Sequence, residues 1–281
     1  MSPVVAVIAP GAMGSAVGKR LVEHGVKVTT VLDGRGPDSV RRAREAGMGP
    51  VSEAEAVTAD IVMSIVPPAA AIPLAGKLLP RLQANRQKPI YVDCNAVNPK
   101  TVEEIASIIT ATGCPFVDAG IVGGPPRAGY DGPVFYASGD AAQRFAVLDR
   151  YGLKVRVLDG PVGAASAVKM SYAGITKGFT ALAAAMMLAA SREGTADTLH
   201  RELSESQPAL LAWLTRQMPA MYSKAYRWVA EMEEISAFVA DDPAAREMFA
   251  NYAQFYERIA RDFDGDKQEV RALADFIKRG Q

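Results

Sequence analysis

The residues with the clearest chemical purpose stand near the start of the chain, in Ala9-Pro10-Gly11-Ala12-Met13-Gly14. They follow the apolar run Val4-Val5-Ala6-Val7-Ile8 without a spacer and lead into a helical pattern from Ala12 to His24. Strand, tight turn and helix in that order are what a dinucleotide site needs. One glycine lets the backbone approach a pyrophosphate, another lets the helix pack on the strand, and open N–H groups at the helix start face the phosphate charge. Gly11 and Gly14 fill the second and third glycine places of a G-x-G-x-x-G pattern, Ala12 and Met13 lie between them, and Ala9 replaces the first glycine. Roughly 20 residues on, a second strand-like run, Val26 to Leu32, ends at Asp33, where a carboxylate can take the hydroxyls of an adenosine ribose. Arg35, Arg41 and Arg42 follow and could instead hold the additional phosphate of NADP, which Asp33 would repel. The cofactor implied is NAD(P)(H), with the choice between NAD and NADP open.

Parallel strands alternating with helices would deliver such loops to one edge. Ala59 to Val66 is another apolar strand, stopped by Pro67-Pro68, which are expected to open a loop at its carboxyl end. Cofactors bind at those ends, so Val66 and Pro67 are candidate contacts. A helix over Ile72–Leu82 and a strand over Pro89–Asp93 come next, the latter running into Cys94-Asn95-Ala96-Val97-Asn98-Pro99 and adding Asn95 to the candidates. After a helix over Thr101–Thr112, Phe116-Val117-Asp118-Ala119 begins a strand, and Val134–Ser138 and Val155–Leu158 close the series. This alternation predicts an α/β fold with a Rossmann-type doubly wound parallel sheet. From Gly160-Pro161-Val162-Gly163 onward the pattern is helical: a long helix over Ala164–Ser191, then segments near Thr195–Leu203, Pro208–Gln217, Ala220–Val239, Pro243–Phe263 and Gln268–Lys278. The expected division is an NAD(P)-binding domain over 1–160 and an all-α domain over 161–281, begun by the long interdomain helix.

With 31 basic and 31 acidic residues the formal charge is zero, which argues against nucleic acid or an anionic membrane as partner. The longest apolar run, Gly178 to Ala190, falls short of the ~20 residues of a membrane span and is expected as a buried core helix. No charged segment with a cleavage site precedes Val4, and Cys94 and Cys114 are too few for a disulfide framework or a cysteine zinc site, so a cytoplasmic protein is expected. His24 and His200 lie far apart, and no metal site is expected. Glu231, Glu233 and Glu234 point to different helix faces and are expected to be solvated or paired with Arg227. Cys94 has no visible base beside it and reads as a packing residue.

With these pieces placed, the chain resembles the β-hydroxyacid dehydrogenase superfamily, which includes 3-hydroxyisobutyrate and 6-phosphogluconate dehydrogenases and, more remotely, imine reductases. Four segments carry the resemblance. APGAMG stands at the family's GLGxMG, DCNAVNP at its strand-end loop, DAGIVGGPP at its DAPVSGG, and GAASAVKMSYA at its G-x-G-x-x-x-K-x-x-N-N. KMSYAGITKG and RWVAEMEEI resemble a 6-phosphogluconate-dehydrogenase-like branch whose C-terminal domain has no known function. The resemblance implies an NAD(P)-dependent dehydrogenase acting on a small-molecule alcohol or carbonyl, with Lys169 as the catalytic acid and base. Hydride leaves a secondary alcohol only if the hydroxyl proton leaves too, and a positioned amine can take it. Among Ala165, Val168 and Met170 that amine is expected to be partly desolvated, with its pKa lowered. The resemblance also implies a homodimer through the helical domain and substrate contacts from Val122, Gly123, Gly124 and Tyr172. Val122 stands where the family has a serine, and Tyr172 and Ala173 where it has two asparagines, so a more apolar pocket is expected. Lys169 counts against an imine reductase, an alternative that Tyr172 keeps open; a protein that senses the cofactor without efficient turnover is the other.

Overall fold

The computed structural model describes residues 2–130 and 132–279. Val4–Ile8 (β1) is buried on both faces: Val5 and Val7 pack with Val17 and Leu21, Ala6 and Ile8 with Leu78 and Ile105. Two-sided burial is why the run is continuously apolar rather than alternating. Lys27–Val31 (β2), Gly49–Val51 (β3), Ile61–Ser64 (β4), Ile90–Asp93 (β5), Phe116–Val122 (β6), Val134–Ser138 (β7) and Lys154–Val157 (β8) complete one sheet in the order β3-β2-β1-β4-β5-β6-β7-β8. Every pairing is parallel except that of β6 with β7. The order reverses between β1 and β4, which makes the carboxyl ends of those two strands the switch point where sheets of this kind bind their ligands. Strand β3 is absent from the sequence expectation. Short and containing Pro50, it is tolerated because it lies at the sheet edge.

The helices of this layer are Ala12–Glu23 (α1), Pro37–Glu45 (α2), Glu53–Ala56 (α3), Pro68–Ala84 (α4), Pro99–Thr110 (α5) and Ala142–Phe145 (α6). Pro67-Pro68 do not open a loop, contrary to expectation: Pro67 is the N-cap and Pro68 the first residue of α4. A proline there forfeits no helical hydrogen bond and arrives with a helical φ.

The chain divides into two compact units, Met1–Met170 and Ser171–Gln281. The division falls inside Ala164–Arg192 (α7), later than the boundary expected after residue 160, because the first turn of α7 is hydrogen-bonded to the sheet. The second unit continues with Ala196–Ser206 (α8), Pro208–Tyr222 (α9), Ala225–Phe238 (α10), Pro243–Asp264 (α11) and Gln268–Lys278 (α12). Helix α9 runs through Pro219 and ends later than expected. Gly174 and Gly178 of α7 face Phe249 and Tyr252 of α11, where an added Cβ would stand 3.2 Å from either ring. The two helices therefore meet where α7 has no side chain. Glu231 of α10, expected to be solvated or paired with Arg227, is largely buried and pairs with Lys177 of α7. The Trp228 ring lies 5.2 Å from the Lys177 Nζ, and the Tyr256 hydroxyl donates to the Lys177 carbonyl at 2.5 Å.

By length and composition α7 could cross a membrane, with a mean hydropathy of 1.4 over its most apolar window, of which 44% is buried in the protein. The expected buried core helix is therefore buried on one side only. Tyr172, Ile175, Leu182 and Met186 are 51%, 74%, 47% and 56% exposed, and with half-buried Phe179 they recur at alternating steps of three and four residues. That is the spacing of a heptad seam.

Candidate functional site

At the end of β1, Gly14 is dictated by contact: a Cβ there would lie 2.1 Å from the Ala9 carbonyl oxygen. Helix α1 presses on the turn itself, the proximity that the third glycine of the pattern provides. Ala9 fits in the first place because it is buried, its N–H donating to the Ile65 carbonyl at 3.3 Å and its own carbonyl accepting from Gly11 N–H at 2.9 Å. Gly11 is the opposite case, since a Cβ on it would meet nothing within 4 Å. It is the N-cap of α1, supplies no side-chain cap, and is followed by no acidic residue in the first turn. Helices α3, α5 and α11, by contrast, each receive a side-chain cap from their own N-cap residue. The N–H groups of Ala12, Met13 and Gly14 thus stand at the positive end of α1 with no side-chain cap from the N-cap residue.

Asp33 and Arg35 follow β2 and are exposed, and Arg35 N–H closes the turn on the Leu32 carbonyl at 3.0 Å. Arg41 pairs with Asp38 at 2.8 Å on the surface of α2. Arg42 reaches back to the Pro10 carbonyl at 3.2 Å and to Ser39 Oγ at 3.0 Å, so it ties α2 to the glycine turn. Past β4, Val66 is half-buried and Pro67 exposed, and Val66 N–H donates to Asn95 Oδ1 at 2.7 Å. The Asn95 amide nitrogen donates to Ser64 Oγ at 2.9 Å and Asp93 Oδ2 at 2.7 Å. Asn95 is only 4% exposed. Expected as a direct contact, it instead joins the ends of β4 and β5 and holds the Val66–Pro67 loop.

Just inside this edge a buried polar row crosses four strands. Ser64, Asp93, Asp118 and Ser138 are successive register partners, exposed by 0%, 1%, 1% and 0%. Asp118 Oδ2 accepts from Gly163 N–H at 2.9 Å, Ser166 N–H at 3.0 Å and Ser138 Oγ at 3.2 Å, and Oδ1 from Ser166 Oγ at 2.8 Å. Ala165 N–H donates to Ser138 Oγ at 3.0 Å, and Ala164 N–H to the Pro161 carbonyl at 3.2 Å. Burial pushes the Asp93 carboxyl up to about 7 against two donors from Asn95, with the neighbouring Asp118 adding to the rise. Burial raises Asp118 as well, against donors from Ser166, Gly163 and Ser138.

Gly120 brings α7 onto β6: a Cβ there would meet the Ala165 carbonyl oxygen at 2.6 Å and Lys169 Cβ at 3.1 Å. Lys169 therefore lies over β6, half-buried, with Ala165 and Met170 buried beside it, whereas Val168 is 38% exposed rather than inward-facing. Val122 ends β6, half-buried. Gly123 has φ +125°, and a Cβ on it would meet the Tyr130 hydroxyl at 2.6 Å; Gly124 faces open space. Tyr172 lies in the second unit and is exposed. Cys94 is buried, and burial followed by the charges of Asp93 and Asp118 pushes its thiol well above the usual range, which removes it as a nucleophile. Asp118, Gly120, Ser138 and Ser166 escaped the sequence reading. The available signal was an acid two residues before a glycine at a strand end, with a serine in the first turn of the helix beyond.

Residues 4–157 match the family described as the NAD binding domain of 6-phosphogluconate dehydrogenase. The chain belongs to that family. Residues 190–259 match a domain of unknown function, DUF1932. An uncharacterised 28.5 kDa protein from the 7S RNA 5′ region of Methanothermus fervidus is 29% identical over 184 residues, 65% of this chain and 69% of that one. Among solved structures, MTH1747, a conserved protein of unknown function with structural similarity to 3-hydroxyacid dehydrogenases, is 28% identical with a TM-score of 0.69, covering 96% of this chain and 98% of its own. The 3-hydroxyisobutyrate dehydrogenase of Mycobacterium tuberculosis, solved with L-serine, shares the fold at a TM-score of 0.68 and 19% identity, over 98% and 99% of the two chains. An imine reductase from Pseudomonas sp. shares it at 0.58 and 18%, over 97% and 100%. As a member of this family the first unit is an NAD(P)-binding domain. The open space before Gly11 and the uncapped start of α1 fit a pyrophosphate.

Proposed function

We propose that this protein is an NAD(P)-dependent oxidoreductase that moves hydride between the nicotinamide and a small alcohol or carbonyl compound, with Lys169 as general acid and base. The observation that carries the reading is Lys169 held over β6 by Gly120, in a chain whose uncapped α1 turn fits a dinucleotide. When bound, the nicotinamide supplies or accepts the hydride. Backbone N–H groups of Ala12, Met13 and Gly14 would hold the pyrophosphate in the space left by Gly11, Asp33 or Arg35 would take the ribose end, and Val66 and Pro67 would border the cofactor. Lys169 takes the alcohol proton as hydride departs and returns it in the reverse direction. Val122 supplies no polar side chain, so the substrate is held through backbone N–H groups of Gly123 and Gly124 and through apolar surface.

The test is calorimetric titration with NADH and with NADPH at equal ionic strength, followed by turnover with a panel of small aldehydes and keto acids. Lys169→Ala is expected to bind nucleotide like the parent and to lose roughly 10²- to 10⁴-fold in turnover. Binding of neither nucleotide overturns the site, and unchanged turnover overturns the role of Lys169. A second reading, reduction of imines, is supported by the apolar replacements at Val122 and Ala173 and by the fold shared with an imine reductase. NADPH oxidation with cyclic imines but not with carbonyl compounds would select it.

We also infer that two copies associate through the exposed seam of α7, and that the protein works in the cytoplasm, where Cys94 and Cys114 remain thiols.

A further inference from the structure

We propose that Asp118 is a positioning residue for Lys169: from β6 it anchors the first turn of α7 and thereby fixes where the lysine amine stands. The inference rests on the reading of Lys169 as the proton-transfer residue. A helix start leaves its first N–H groups without intrahelical partners. At the start of α7 the N–H groups of Ala165 and Ser166, and that of Gly163 just before the helix, are taken by Asp118 and Ser138, which project from neighbouring strands rather than from the residues just before the helix. The Ser166 hydroxyl adds a contact to the second carboxylate oxygen, so both oxygens are engaged and the helix cannot pivot about a single bond. Gly120, two residues along the same strand face, sets the separation, because any side chain there would collide with the Ala165 carbonyl. Lys169 follows within the next turn, and no flexible segment separates the anchor from the amine.

Two further features set this anchor apart from an ordinary cap. The carboxylate is 1% exposed, a costly place for a charge unless donors surround it, and its donors are Ser138 of β7 with Gly163 and Ser166 at the start of α7. Its neighbour in the row, Asp93, holds through Asn95 the Val66 loop on the cofactor side. The row thus fixes the proposed hydride side and the proposed proton side from one layer of the sheet. Acid-base catalysis is sensitive to such placement, and a displacement of an ångström can cost about a hundredfold in rate.

The experiment is a double-mutant cycle on the full chain. Asp118→Asn, Lys169→Ala and the double variant are compared for kcat and KM with the best substrate of the panel above, and for nucleotide affinity by calorimetry. Asn keeps the shape but turns an amide against the N–H donors of α7. The expected result is a kcat lower by about 10- to 100-fold in Asp118→Asn with nucleotide affinity unchanged, and no additional loss when the same change is made in Lys169→Ala. An equal further loss in the Lys169→Ala background, or an unchanged kcat in Asp118→Asn while Lys169→Ala is impaired, overturns the proposal and leaves the role of Lys169 standing. Full activity in Lys169→Ala overturns both. If Asp118→Asn does not fold, Ser166→Ala removes a single hydrogen bond and keeps the carboxylate. It is expected to show a smaller kcat loss that likewise disappears in Lys169→Ala, and additivity there overturns the proposal.

Discussion

Gly11 and Gly14 sit in the same turn for opposite reasons. At Gly14 the protein is too close for a side chain, because the obstructing atom is the Ala9 carbonyl oxygen, which no rotamer change can move. At Gly11 the protein is absent. The two alanine variants should therefore separate stability from binding. Gly14→Ala forces α1 off the turn and is expected to cost about 1–3 kcal/mol in a urea melt, with nucleotide affinity falling at least tenfold. Gly11→Ala is expected to leave the melt unchanged and to weaken nucleotide binding alone, since its methyl group enters the space meant for ligand. Equal affinity of Gly11→Ala and parent in the calorimeter would remove the pyrophosphate from that space.

Between elements, a largely buried electrostatic joint of the second unit pairs Lys177 of α7 with Glu231 of α10, whose side chains are 15% and 14% exposed. Burial lowers the Lys177 pKa, and Glu231 opposes that shift. Glu231→Ala would leave the ammonium buried without its counter-charge, and a loss of about 3–5 kcal/mol is expected in chemical denaturation of the full chain. Changing Lys177 and Glu231 together to Met and Leu is expected to recover most of it. This joint also marks a limit of what the sequence makes legible. Strands β1, β4, β5 and β6 could be read because a strand buried on two faces is apolar along most of its length, and the glycine turn because its spacing is local. Pairs such as Lys177 with Glu231, Arg42 with Pro10 and Asp118 with the start of α7 join residues distant along the chain, and no periodicity encodes them. Asn95 was legible as a residue at the right place but not in its role, because position at a strand end does not say whether an amide faces a ligand or its neighbours. Pro67-Pro68 misled for a local reason, since the same pair that ends a strand also suits a helix start.

For the whole molecule, the proposed pairing of two copies rests on the seam of Tyr172, Ile175, Phe179, Leu182 and Met186. Light scattering is expected to report a dimer for the parent and a monomer for Ile175→Asp combined with Met186→Asp, with the helical circular dichroism retained. A parent that is monomeric at micromolar concentration would overturn the pairing through α7. The same helix has a bearing on inheritance. The two family matches stop at residue 157 and resume at residue 190, and α7 spans Ala164–Arg192. The lysine assigned to proton transfer thus lies in neither recognisable module but in the joint that links them. A descendant could keep its cofactor layer and its helical partner layer intact and still acquire a different reaction by rewriting one helix. Relatives that share both modules need not share a substrate.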